Sequence, residues 1–158
     1  PEGRLFCIQS NNNMGRNHGG YWDVPGHPNN NYKNGMNIQS WDFDNGMDRQ
    51  YRFEKIPGER YYRIFVGTSN TFVVDLKGGT SKNGQNIHVW TKNNSDAQKF
   101  YFKKQFNGTY KIYHISGRLI CLSGRSSKNG SNVHLWDDHD GPWVEWALID
   151  PATKRMYK

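Results

Sequence analysis

Cysteine is nearly absent from this chain, with only Cys7 and Cys121 in 158 residues. They form no CxxC pair and no zinc-ligand spacing, so a zinc-ribbon or dithiol redox module is excluded. Long apolar runs are also missing. None approaches the ~20 residues of a membrane-spanning helix, and no signal-peptide pattern is present. Apolar residues make up only 34% of the chain, and stretches of strong helix formers are few and short. The phosphate-cradling, dinucleotide-binding and nucleophile-elbow motifs are all missing, so no cofactor is expected and the chain does not read as an enzyme. The formal charge is +7, but the lysines and arginines are dispersed. The closest cluster, Lys99, Lys103 and Lys104, is not a basic run of the kind that marks nucleic-acid binding.

Aromatic residues and glycine are plentiful. Aromatics reach 15%, so bulky rings must supply much of the burial that aliphatic residues do not. Glycine occurs 17 times, often after asparagine, and β-formers come in short runs between such pairs. That pattern predicts an all-β chain with tight turns. The length suits one domain, residues 1–158. The chain opens on Pro1 rather than Met, which is expected of a processed or excised piece of something longer.

One stretch recurs three times. Lys33-Asn34-Gly35-Met36-Asn37-Ile38-Gln39-Ser40-Trp41 returns as Lys82-Asn83-Gly84-Gln85-Asn86-Ile87-His88-Val89-Trp90, and again as Lys128-Asn129-Gly130-Ser131-Asn132-Val133-His134-Leu135-Trp136. A spaced repeat of this kind makes the fold a threefold array. The units run roughly over 3–57, 58–105 and 106–150. Each Lys-Asn-Gly is a turn leading into a strand. There Ile87 and Val89 face one way, and His88 and Trp90 the other. Ten residues after each of these tryptophans comes another large ring, Tyr51, Phe100 or Trp146. Phe53, Phe102 and Leu148 follow two places on, which makes an inward-facing final strand. Opening strands are expected at 62–66 and 110–114.

The first unit differs. Gly3-Arg4-Leu5-Phe6-Cys7-Ile8 matches Gly117-Arg118-Leu119-Ile120-Cys121-Leu122, so Cys7 aligns with Cys121, and Asp75 takes that place in the second unit. This alignment leaves residues 11–30 as a long inserted surface loop, with Tyr21 and Trp22 either pinning it or reaching a ligand. It also leaves the first unit without an opening strand. Residues 153–158 resemble 109–114, so residues 151–158 are expected to supply a closing strand.

Three repeats of about four strands, with Gly78 to Trp90 and the endings Arg49-Gln50-Tyr51, Gln98-Lys99-Phe100 and Val144-Glu145-Trp146, resemble the ricin B-type β-trefoil, the R-type lectin family. The endings are degenerate: only Gln98 keeps the family's glutamine and only Trp146 its tryptophan. The resemblance implies a β-trefoil that binds sugars in shallow pockets, up to one per repeat. It implies a site in repeat two built from Asp75 as hydroxyl acceptor, Trp90 as stacking platform, His88 beside it, and Asn93, Asn94 and Gln98 from the next loop. Gln98 could instead only brace that loop. Weaker second sites would use Gln39, Trp41 and Asp48 in repeat one, and His134, Trp136, Asp138 (or Asp137) and Trp143 in repeat three, since Cys7 and Cys121 stand in the aspartate position. The family often carries a disulfide within a repeat. Here the two cysteines fall in different repeats, and two free, mostly buried thiols are expected.

No metal site is expected. His18, Asp23 and His27 fit no ligand spacing. Asp42-Phe43-Asp44-Asn45-Gly46 brings its glycine one place early for a calcium loop and has Phe53 where the closing Glu belongs. The expectation is therefore a carbohydrate-binding module of a larger secreted or extracellular protein, with a glycan or glycoprotein and the parent's other domains as partners, and no membrane span. The rivals are a protein-interaction trefoil with eroded sugar sites and a charge-driven binder of anionic glycans.

Overall fold

A computed structural model describes residues 3–13, 19–26, 28–43 and 46–157, with the side chain of Asp48 outside that description. The described residues form twelve strands joined by turns and short 3₁₀ segments: β1 (Leu5–Ser10), β2 (Tyr21–Asp23), β3 (Gln39–Trp41), β4 (Tyr51–Lys55), β5 (Tyr62–Val66), β6 (Phe72–Leu76), β7 (Ile87–Thr91), β8 (Phe100–Lys104), β9 (Tyr110–His114), β10 (Leu119–Leu122), β11 (Val133–Trp136) and β12 (Trp146–Ile149). None of the described residues forms a helix long and apolar enough to cross a membrane.

Six strands close on themselves. β1 pairs with β4, β4 with β5, β5 with β8, β8 with β9, β9 with β12, and β12 again with β1, all antiparallel. Closure removes every free edge from this barrel. The remaining strands form three hairpins, β2–β3, β6–β7 and β10–β11. Alternation sorts the side chains as expected. Ile38, Ile87, Val89, Val133 and Leu135 lie fully buried in one core with Tyr51, Phe53, Phe100, Trp146 and Leu148. Any large apolar ring fills the position at the start of the closing strand, which explains why its identity drifts between repeats.

The recurring Lys-Asn-Gly stretch is the clasp that locks the hairpins together. Each turn closes through the bond from residue i+3 back to lysine: Met36 N to Lys33 O, Gln85 N to Lys82 O and Ser131 N to Lys128 O. Only the glycine takes positive φ, at 90°, 84° and 91° for Gly35, Gly84 and Gly130, as a type II turn requires. Each glycine N–H then donates to the next repeat, at 2.8 Å: Gly35 to Val89 O, Gly84 to Leu135 O, and Gly130 to Ser40 O. The turn asparagines hold the residue that follows each tryptophan. Asn34 Oδ1 accepts from Thr91 N, Asn83 Nδ2 donates to Asp137 Oδ2, and Asn129 Nδ2 donates to Asp42 Oδ2. At the centre the second asparagines form a ring. Asn37 donates to Asn132 (2.9 Å), Asn132 to Asn86 (2.8 Å), and Asn86 to Asn37 (2.8 Å). A closed ring of amides, each giving one bond and taking one, is why asparagine recurs at this place.

Register corrects the reading of the first repeat. Gln9 lies opposite Tyr21 as Phe65 lies opposite Val73 and Tyr113 opposite Leu119. β1 is therefore the opening strand, the counterpart of β5 and β9, and Cys7 corresponds to Arg63 and Lys111 rather than to Cys121. The second strand lies inside the segment expected to be a surface loop. Trp22 is fully buried, edge-on to Tyr51 (5.5 Å) and Trp146 (5.3 Å), so it pins the segment to the core. Across the hairpin its partner is the small Ser40, where the other repeats pair Val74 with Val89 and Ile120 with Leu135. One large and one small residue replace two of middle size, so volume is conserved.

The place expected for the C-terminal segment is thus already taken by β1. The tail folds back on β12 instead, through a bridge between Ile149 and Met156 and a bond from Tyr157 N to Leu148 O. Tyr157 then packs edge-on against Phe6 with 5.5 Å between ring centroids. Both thiols are buried, Cys7 on the barrel wall and Cys121 in a hairpin.

Candidate functional site

In the β6–β7 hairpin, Asp75 lies opposite His88, and Val73 opposite Trp90. Asp75, His88 and Trp90 therefore share the outer face, while Val74 and Val89 go to the core. His88 Nε2 meets Asp75 Oδ1 at 2.8 Å, and Gln98 Nε2 donates to Asp75 Oδ2 at 2.9 Å. The His88 ring stacks beneath Trp90, with 5.3 Å between centroids and 21° between planes. Trp90 remains 37% exposed, a flat indole face turned to solvent. With Asn93, Ser95 and Asp96 on the far rim, these residues line an open cavity of about 420 Å³.

Gln98 is fully buried and lies beneath this cavity rather than in its wall. Besides Asp75 it holds Thr91 O and Asn93 N, at 2.9 and 2.8 Å. It orients the carboxylate and the loop, so its expected place in the pocket is corrected to a bracing one. Asn94 is also not in the wall: its Oδ1 accepts from Arg63 Nη2 at 3.1 Å. The wall gains Leu76, Gly78, Gly79, Ser95, Asp96 and Ala97, none of which was expected in it from the sequence.

The first repeat carries the same arrangement with a different carboxylate. Asp23 lies opposite Gln39 as Asp75 lies opposite His88. Gln39 Nε2 donates to Asp23 Oδ2 at 2.9 Å, and Trp41 is 37% exposed. Arg49 replaces Gln98, its Nη1 lying 3.2 Å from Asp23 Oδ1 and its Nε donating to Asp42 O at 2.7 Å. The buried pair Asp23–Arg49 was missed because the turn before Lys33 is longer than in the other repeats. The signal that could have found it is the Tyr21-Trp22-Asp23 run, a strand ending in a carboxylate as Val73-Val74-Asp75 does. By sequence Asp23 groups only with His18 and His27, which lie outside the described residues. The side chain of Asp48 lies outside them too.

In the third repeat Cys121 takes the aspartate position, opposite His134. The pocket is nevertheless open, about 470 Å³, with His134, Trp136, Asp137 and Trp143 in its wall. Asp138 is not part of it, because its Oδ1 accepts from Tyr113 OH at 3.0 Å and lies 3.4 Å from Lys111 Nζ. Burial pushes the Cys121 thiol up to about 11, with the Arg125 charge opposing, so it is a neutral thiol at physiological pH. Burial pulls His134 below the ordinary imidazole value.

His114 supports the second site from the neighbouring repeat, its Nε2 bonded to Asp96 O at 2.8 Å and its Nδ1 to Ser116 Oγ. Desolvation lowers its pKa, against an opposing contribution from Asp96. A histidine with a depressed folded-state pKa takes up its proton more readily when unfolded. Its contribution is complete above the unfolded value near ~6.5 and is lost as pH falls. Thermal midpoints are therefore expected to drop between pH 7 and 5, with His134 adding to the same window, and His114→Gln should reduce that slope. Asp140 and Asp150 also have lowered pKa values, but their effect falls in a separate window below the carboxylate range.

Each outer face thus offers an aromatic plane beside hydrogen-bonding groups. In repeats one and two those groups include a carboxylate oriented by buried partners. A pyranose presents the complement, a C–H face for the ring and hydroxyls for the acceptors.

Residues 2–90 match the family model described as "Ricin-type beta-trefoil lectin domain-like". No curated protein sequence matches. Among solved structures, the designed three-fold symmetric protein ThreeFoil superposes with a TM-score of 0.80 at 20% identity, over 92% of this chain and 98% of that one. An exo-beta-1,3-galactanase from Clostridium thermocellum gives 0.79 at 22% identity, over 94% of this chain but only 30% of the enzyme. The Macrolepiota procera ricin B-like lectin, solved in complex with lactose, gives 0.71 at 17% identity over 94% and 96%.

Proposed function

The chain belongs to the ricin-type β-trefoil lectin domain-like family, and from that premise we propose that it is a carbohydrate-binding module holding neutral sugars on the outer faces of its first two hairpins. The observation that carries this reading is the pairing of an exposed indole with an oriented carboxylate at Trp90 and Asp75, matched at Trp41 and Asp23. The indole packs on the apolar face of the ring. The carboxylate accepts from two hydroxyls, and Gln98 or Arg49 fixes its direction from below. Pre-orientation by buried partners lowers the cost of ordering the site when sugar arrives.

The lactose complex of the Macrolepiota procera lectin supports a galactose-type ligand. The likeness to 30% of the galactanase supports an accessory role, in which the module holds a secreted enzyme or toxin against a glycan. Shallow single pockets bind weakly, and two sites on one module raise avidity.

A glycan array probed at two salt concentrations, with wild type, Asp75→Ala and Trp90→Ala, tests this. Binding to neutral glycans should be indifferent to salt and reduced in both variants. Binding that vanishes at high salt and ignores both substitutions would assign the function to net charge instead.

A further inference from the structure

The third pocket is equipped unlike the other two, and the difference points to a different ligand. Its aspartate position holds Cys121. Three places along, in the strand-end turn, Gly124-Arg125 stand where repeat two has Gly78-Gly79. The backbone is left-handed at all four residues, with φ of 64° and 57° against 70° and 69°. Only glycine takes that conformation without cost, so an arginine there is a strained choice that the neighbouring repeat avoids. Its guanidinium carbon lies over Trp143, 4.5 Å from the ring centroid, in the wall of the cavity. His139 fixes that wall by accepting from Trp143 Nε1 at 2.8 Å while its own Nδ1 bonds Asp137 O at 2.7 Å.

The charge on Arg125 meets no opposite charge among the described residues: no carboxylate there lies within 4.0 Å of its guanidinium. The acid in the pocket, Asp137, is engaged by Arg118 Nε at 3.3 Å and Asn83 Nδ2 at 2.9 Å. A planar cation is thus held on an indole, in a cavity that has exchanged its carboxylate for a thiol. Beside it stands Trp136, 41% exposed, as a second flat face. An arginine fork matches a carboxylate or a sulfate, and the aspartate of the other sites would repel either.

We propose that the third-repeat pocket takes a sugar bearing an anionic group, a carboxylate or a sulfate ester, with the anion on Arg125 and the ring against Trp136. This rests on the reading that these hairpin faces hold sugars. It assigns to one of them a ligand class that the other two reject.

Calorimetric titration of the full chain tests it with glucuronic acid against glucose, and galactose 6-sulfate against galactose, on wild type, Arg125→Gly and Trp41→Ala/Trp90→Ala. Arg125→Gly installs the residue that repeat two already uses, so its thermal midpoint should not fall. At least one charged sugar should bind wild type, lose about tenfold or more in affinity in Arg125→Gly, and still bind the double tryptophan variant. Which of the two charged sugars responds identifies the anion. Unchanged affinity in Arg125→Gly, loss in the double tryptophan variant, or no charged-sugar binding would overturn the assignment. So would inorganic sulfate binding as tightly as the sulfated sugar. If neutral sugars fail on wild type while the Arg125-dependent binding persists, the neutral-sugar reading of the first two hairpins fails and this one stands.

Discussion

Trp41→Ala and Trp90→Ala, combined, should abolish neutral-sugar binding, while each alone should remove one of two sites. Calorimetry on wild type is expected to give a stoichiometry of two, falling to one in either single variant. Stacking on an indole face combines apolar burial with ring-specific attraction, about 2 kcal/mol, or roughly thirtyfold in affinity at each site. Both rings are more than a third exposed, so removing them should cost the fold little. The tryptophans are better probes than the aspartates. Asp23 also pairs with Arg49, whose side chain is only 2% exposed, so cutting Asp23 breaks a buried ion pair at a cost of about 3–5 kcal/mol. A wild-type stoichiometry of one, unaffected by Trp41→Ala, would show that the Asp23 arrangement braces the fold and binds nothing.

The second large effect is on stability. Asn86→Ala should destabilise the fold by about 2 kcal/mol, since it removes two bonds of the central ring at once. Asn37 Oδ1 loses its donor, and Asn132 Nδ2 loses its acceptor, both half-buried. For a chain of this length that is a fall of roughly 4–8 °C in thermal midpoint. Replacing all three asparagines should cost clearly less than three times the single change, because the first substitution already opens the ring. Urea unfolding of the single and triple variants would check both statements. Strict additivity would mean that the three amides do not act as a unit.

Much of the second site was legible before any coordinates, because its parts lie close in the chain. Strand alternation puts His88 and Trp90 on one face, and the lectin resemblance implied Asp75 beside them on the same hairpin. Gln98 was legible as a participant but not as a buried brace, since burial is a property of what packs above it. The first site was missed for a local reason. A longer turn between Asp23 and Lys33 broke the spacing that aligns the other repeats. A chance match of Arg4-Leu5-Phe6-Cys7 to Arg118-Leu119-Ile120-Cys121 then filled the gap. Register on the barrel decided the matter, and register is a hydrogen-bonding fact that no spacing contains.

The lectin resemblance implied the β-trefoil, and the chain by itself determined the threefold repeat and the division of each hairpin into a core face and an outer face. These follow from periodicity, which is written residue by residue. Tertiary structure decided which strand opens the first repeat and therefore that Asp23 is a counterpart of Asp75. It also decided that Arg125 stands over Trp143, and that Asn37, Asn86 and Asn132 meet at the axis. Each of those depends on residues far apart in sequence brought within bonding distance by barrel closure, and distance of that kind exists only once the chain has folded.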